Sequence, residues 1–193
     1  MKAFKINKKG FSLLELLLVL SIIASLIVAA FLIYKKVDTS NKIEKERNNI
    51  SLIVSATKSL FAGKVDYEGW SLKTLDNANL LADNFIYNKA TNDDFGQYRD
   101  AWGNEVNTGT ITPGNGSVKI AGVSLEYVIP SEACVKFVSS VFPLMDRIDV
   151  NYSNIKDTAV SYIDATKIDV SAISTSCGNS SYGDLSTVSL TFY

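Results

Sequence analysis

Histidine is absent from all 193 residues. That removes the commonest general base, the commonest transition-metal ligand and every Ser–His or Cys–His nucleophilic pair. Cysteine is nearly absent too. Cys134 and Cys177 lie far apart with no C-x-x-C spacing, which argues against a zinc site or a thioredoxin-type redox pair. A basic excess is also missing. Net charge is −1, and Lys2, Lys5, Lys8 and Lys9 place four of the 19 basic residues, and none of the 20 acidic ones, in the first ten positions. The remainder is net acidic and offers no basic face for nucleic acid. No internal repeat or low-complexity linker interrupts the chain. The composition describes one domain with an appended segment, and a protein that holds no cofactor and performs no obvious catalysis.

What the chain does have is one long apolar run. Residues 16–34 carry no charge, and at about 1.5 Å per residue they reach roughly 28 Å, enough to cross a bilayer. Lys35 and Lys36 close the run, and the leader lysines favour a cytoplasmic N-terminus. A cleaved secretory signal fits poorly. Its apolar region is shorter, and its small residues follow the run, whereas Ala24, Ser25, Ala29 and Ala30 lie inside this one. One carboxylate, Glu15, sits near the start of the run. An unpaired charge in hydrocarbon is costly, so Glu15 either reaches back to the headgroups or meets a partner.

A short basic leader, Gly10, aromatic Phe11 and Glu15 four residues on, all ahead of a bare apolar helix, resemble the class III leader of type IV pilins and pseudopilins. The resemblance implies that a prepilin peptidase cuts after Gly10 and methylates the new amine of Phe11. It also implies that Glu15 pairs with the Phe11 amine of a neighbouring subunit in a filament. Within one chain both groups lie at a helix start, where the dipole favours the carboxylate and disfavours the amine. A buried pair loses about 3–5 kcal/mol when one partner is removed, so such a contact can set register between subunits.

Beyond the run, residues 37–62 contain no Pro or Gly. Ile43, Ile50, Ile53/Val54, Thr57 and Leu60/Phe61 recur at helical spacing, while Lys42, Glu44, Lys45, Glu46, Arg47 and Asn48 read as a solvated face. Gly63 is the expected stop. One helix from about Phe11 to Ala62 would be roughly 75–80 Å long. Short loops then lead into β-rich pieces. Val118–Ile120 and Val123–Ile129 flank a turn at Ala121–Gly122, Thr112–Gly116 reads as a hairpin turn, and Thr187–Tyr193 alternates as a half-buried strand. Between them Ser131 is the expected N-cap of a helix carrying Cys134, Phe137/Val138 and Val141/Phe142, which Pro143 should end. The fold class expected is α+β: a long N-terminal helix packed on an antiparallel sheet.

The lysine bias puts the domain after the span outside the cytoplasm, where thiols oxidise, so a Cys134–Cys177 disulfide is expected. Most of the mature chain also looks like the type IVb pilins, of the bundle-forming and toxin-coregulated kind. The carriers are a strand, the Pro130-x-x-Ala133-Cys134 helix start and a second cysteine before the last strand, together with Val37–Lys42 and Ser55–Thr57. The ten-residue leader and Phe11 depart from that group, whose leaders are usually longer.

Two further features are weighed. Asp100-x-Trp102-Gly103-Asn104 resembles a segment of type II secretion pseudopilins, some of which bind calcium. With Asp93, Asp94 and Glu105 nearby it matches no EF-hand loop, so a turn around a buried Trp is expected and no metal site. Trp70, Tyr67, Tyr87, Tyr98, Tyr127, Tyr152 and Tyr162 are read as packing rather than receptor contacts. Asp149, Asp157, Asp164 and Asp169 fall in a Ser/Asn-rich stretch read as solvated loop or subunit contact.

The expected organisation is a cleaved leader (1–10), a transmembrane and filament-core helix half (11–36) and a globular head with the amphipathic helix half (37–193). The resemblance implies a non-enzymatic pilus subunit for adhesion, aggregation or related roles. A minor pilin or type II secretion pseudopilin is the alternative, and a membrane-anchored sensor or enzyme the more distant one. Its implied partners are copies of itself, prepilin peptidase, the assembly platform, minor pilins and the bacterial inner membrane, with the head periplasmic before assembly and extracellular in the filament after it.

Overall fold

The structure, a computed structural model, describes residues 12–85, 98–111, 121–158, 167–179 and 183–193. Gly10, Phe11, Tyr87, Asp93, Asp94, the Thr112–Gly116 turn, Val118–Ile120, Tyr162 and Asp164 lie outside them. The chain divides into two compact units, Met1–Ser40 and Asn41–Tyr193. Helix α1, Leu13–Leu60, supplies residues to both.

In the first unit α1 is apolar on every side over residues 16–34 and wholly exposed through Val37. Ser21 and Ser25 return their hydroxyls to the carbonyls of Leu18 and Ile22, each at 2.8 Å, so neither presents an unpaired donor to an apolar surrounding.

The second unit is built on a five-stranded antiparallel sheet. Its strands are β1 Asn107–Ile111, β2 Gly122–Pro130, β3 Arg147–Val150, β4 Ser153–Asp157 and β5 Leu185–Phe192, in spatial order β1-β2-β5-β3-β4. β5 therefore joins the β1–β2 pair to the β3–β4 hairpin. Period-two alternation places Val123, Leu125, Tyr127 and Ile129 of β2, Ile148 and Val150 of β3, and Val188, Leu190 and Phe192 of β5 in the core. Helices α2 Leu72–Asn77, α3 Ser131–Val141 and α4 Val170–Gly178 complete the unit. The α1 stripe of Ile43, Ile50, Ile53 and Ala56 shares that core with the inner strand face and with Cys134, Phe137, Val138 and Val141 of α3. Gly122 is required where it stands: a Cβ there would lie 2.7 Å from the Tyr193 ring and 3.0 Å from the Phe192 carbonyl.

The expected stop at Gly63 holds; its φ is +82°, a conformation that favours glycine. The helix before Pro143 ends at Val141 and passes into a 3-10 turn, Phe142–Leu144. Three readings need correction. Ser131 is the first residue of α3, with Pro130 as the cap residue, and its hydroxyl lies 2.9 Å from that of Ser186 instead of capping the helix. Glu46 is buried, not solvated. Asp149 and Asp157 are strand residues ion-paired to Arg147, and Asp157 is buried, so that part of the Ser/Asn-rich stretch is structured sheet. The strand partnering β2 on its outer side is β1, which the sequence pattern did not mark.

Candidate functional site

Glu15 stands in the first turn of α1, where the backbone N–H of Leu16 already reaches the Ser12 carbonyl at 3.1 Å. The first helical turn favours a carboxylate electrostatically. Around it Leu13, Leu14, Leu16, Leu17 and Leu18 are all more than half exposed, and large apolar side chains stay exposed along α1 to Val37. A contiguous apolar surface of that extent calls for lipid or another protein surface to cover it. The helix is long and apolar enough to cross a membrane. Gly10 and Phe11, the positions expected for cleavage and methylation, fall outside the described residues.

Cys134 of α3 and Cys177 of α4 form a disulfide with their Cα atoms 5.9 Å apart. Around the bridge α4 is tied to the sheet. The Ser186 hydroxyl donates to the Cys177 carbonyl at 3.2 Å, and Asn151 Nδ2 donates to the Ser176 carbonyl at 2.8 Å. Asp169 caps the other end of α4, accepting from the backbone N–H groups of Ser171 and Ala172. These bonds hold its carboxyl below the usual range, with the Ser171 hydroxyl contributing most.

The Asp100 segment is a turn, as expected. Asp100 Oδ1 accepts from the N–H of Trp102 at 2.9 Å and of Asn104 at 2.8 Å, and Gly103 turns at φ +89°. Trp102 is partly buried, edge-on to Phe137. No group of three or more acidic, cysteine or histidine side chains fit to hold a metal occurs among the described residues. The remaining aromatics divide. Trp70, Tyr98 and Tyr127 are core, Tyr67 packs against it, and Tyr152 is 82% exposed.

Sequence reasoning missed a buried acid pair. Glu46 of α1 is 1% exposed and accepts from Asn49 Nδ2 at 3.3 Å and from the Ala101 backbone. Glu46 Oε2, Asp100 Oδ2 and the Tyr127 hydroxyl lack hydrogen-bond partners among the described residues. Burial, then the Asp100 charge, pushes Glu46 up to about 7. Burial raises Asp100 to about 6 against the bonds it accepts in its own turn. The signal was available, because position 46 lies three residues after Ile43 and four before Ile50, on the buried stripe.

Comparison with known proteins follows the same outline. A family described as PilS N terminal matches residues 40–193, and a prokaryotic N-terminal methylation motif matches residues 5–31. Among solved structures, a type IV b pilin from Salmonella typhi is similar with TM-score 0.56 and 18% identity, over 77% of this chain and 98% of that one. TcpA, a type IV pilin from Vibrio cholerae El Tor biotype, is similar with TM-score 0.56 and 11% identity, over 79% and 99%. At such identities the likeness speaks to the fold. No curated protein sequence matches the chain. The methylation motif, the apolar first half of α1, the disulfide-tied head and a family match over most of the length converge: the chain belongs to the PilS family and is a type IVb pilin precursor, a structural subunit of a type IV pilus.

Proposed function

We propose that the precursor sits in the bacterial inner membrane through residues 11–34 with its head in the periplasm. Prepilin peptidase cuts after Gly10 and methylates the amine of Phe11. The assembly platform, primed by minor pilins, then draws the subunit into a filament whose core is a bundle of α1 segments. The observation that carries this reading is the exposed surface of α1. From Leu13 to Tyr34 its large apolar side chains are 46–77% exposed, and Glu15 is the single charged side chain among them. Lipid covers the apolar surface in the precursor, but the carboxylate there has only the headgroups. In a filament the new amine of a neighbour's Phe11 supplies the opposite charge, and the apolar side chains pack on one another. Intact-mass measurement of the chain from membranes and from sheared fibres tests the processing. A mature N-terminus at methylated Phe11 in the fibres' main band is expected, and a chain that retains Met1 overturns the reading.

A further inference from the structure

The outer face of the sheet carries a cleft of about 280 Å³ lined by Glu126 of β2, Arg147 and Asp149 of β3, Tyr152, and Thr187 and Ser189 of β5. We propose that this cleft binds the terminal ring of a glycan, a neutral or amino hexose, with the Tyr152 ring as its stacking platform.

The argument begins with the turn. Asn151 and Tyr152 join β3 to β4 between the paired residues Val150 and Ser153, with φ +47° and +66°. A two-residue hairpin with both residues left-handed favours Asn followed by Gly. Asn151 fits that pattern and Tyr152 does not. A bulky side chain in this conformation is an outlier, and such strain persists only where the surroundings hold it. They do hold it. Asn151 Oδ1 accepts from the Thr187 N–H at 2.9 Å, Asn151 N–H donates to the Thr187 carbonyl at 2.9 Å, and Asn151 Nδ2 donates to Ser176. With 82% of its surface exposed, Tyr152 contributes little to the core in return. A strained aromatic on a rigid mount, facing solvent beside a polar cleft, is suited to an external partner.

The polar groups narrow the ligand. Arg147 lies in a two-point ion pair with Asp149, Nε to Oδ2 at 2.7 Å and Nη2 to Oδ1 at 3.1 Å, and its Nη1 meets Asp157 at 3.0 Å. The planar pair is therefore fixed before any ligand arrives. Carboxylate oxygens accept from vicinal hydroxyls, the Ser189 and Thr187 hydroxyls both give and accept, and the C–H face of a pyranose stacks on a tyrosine ring. The volume falls just under the roughly 300–1,000 Å³ of drug-sized sites, which suits one ring and not an oligosaccharide. Charge sets the sign of the preference. The one guanidinium is already neutralised by Asp149 and Asp157, and Glu126 adds a further negative group, so a sialylated or sulfated sugar is repelled.

The test uses the full chain in a sugar-free zwitterionic detergent, titrated with methyl galactoside, methyl glucoside, N-acetylglucosamine, glucosamine and sialyllactose. Saturable binding of at least one neutral or amino sugar, and none of sialyllactose, is expected. Tyr152→Gly removes the ring while relieving the turn. It should melt no lower than the parent and bind about tenfold or more weakly, the loss of one stacking contact. Tyr152→Phe keeps the ring and should bind within about twofold of the parent, since the stacking face is unchanged. The proposal is overturned if the parent binds none of these sugars, if sialyllactose binds best, if Tyr152→Gly binds like the parent, or if Tyr152→Phe binds as poorly as Tyr152→Gly. A Tyr152→Gly defect confined to filament yield, with sugar binding intact, makes the residue a subunit contact and equally overturns it.

Discussion

The indole nitrogen of Trp70 donates to the hydroxyl of Thr57 at 2.8 Å, tying the loop after α1 back to the helix. Both residues are buried, so the bond has no competing water. Thr57→Val keeps the shape and strands the indole N–H. The head should lose about 1–3 kcal/mol, the usual penalty for an unsatisfied buried donor. Denaturant titration of the full chain in detergent, followed by tryptophan fluorescence, measures it, and a change within error would mean the indole finds another acceptor.

Glu46 near 7 and Asp100 near 6 stand above ordinary values of 4.5 and 3.8. Between about pH 4 and 7 the folded head binds more protons than the unfolded chain, so its stability falls as pH rises through that window. The head should melt at a lower temperature at about pH 8 than at about pH 5.5, where the native carboxyls are protonated. Glu46→Gln should raise the melting point at the higher pH and flatten the profile. A variant that melts lower at both pH values would contradict this.

Replacing both Cys134 and Cys177 with serine opens a loop of 43 residues. By the chain-entropy rule the head should lose about 4 kcal/mol. The parent should lose a similar amount under strong reductant, with no further loss in the double variant.

At the N-terminal end, Glu15→Gln should leave the melting point of the head unchanged while filament yield falls steeply, because the proposed pair with a neighbour's Phe11 amine would forfeit about 3–5 kcal/mol on losing one charge. Gly10→Val should leave the head equally intact and yield an uncut precursor, heavier by the leader. Normal yield from Glu15→Gln would remove the charge pair from the mechanism.

Much of this architecture was legible because it rests on periodicity and punctuation. The apolar run, the α1 stripe, Gly63, Pro143 and the alternating β2 and β5 each announce themselves within one continuous stretch of sequence. The failures share a different cause. β3, Arg147–Val150, and β4, Ser153–Asp157, are short and polar, because their outward positions carry Arg147 and Asp149 and their inward ones include a buried lysine. Lys156 donates to the Phe142 carbonyl at 2.7 Å and also to that of Met145, bonds no local pattern encodes. Glu46 was misplaced because its charge was weighed above its position on the stripe. The exposed Tyr152 was grouped with core aromatics because its turn could not be recognised without β3 and β4.

The place of β5 between β2 and β3 has a consequence for the order of events during synthesis. A ribosome that has not yet delivered Leu185–Phe192 has made two separate strand pairs, and an isolated pair is marginal in water. The sheet closes only when β5 is inserted between elements made earlier, a long-range step that local structure does not accelerate. Until then the two strand pairs lack the strand that joins them.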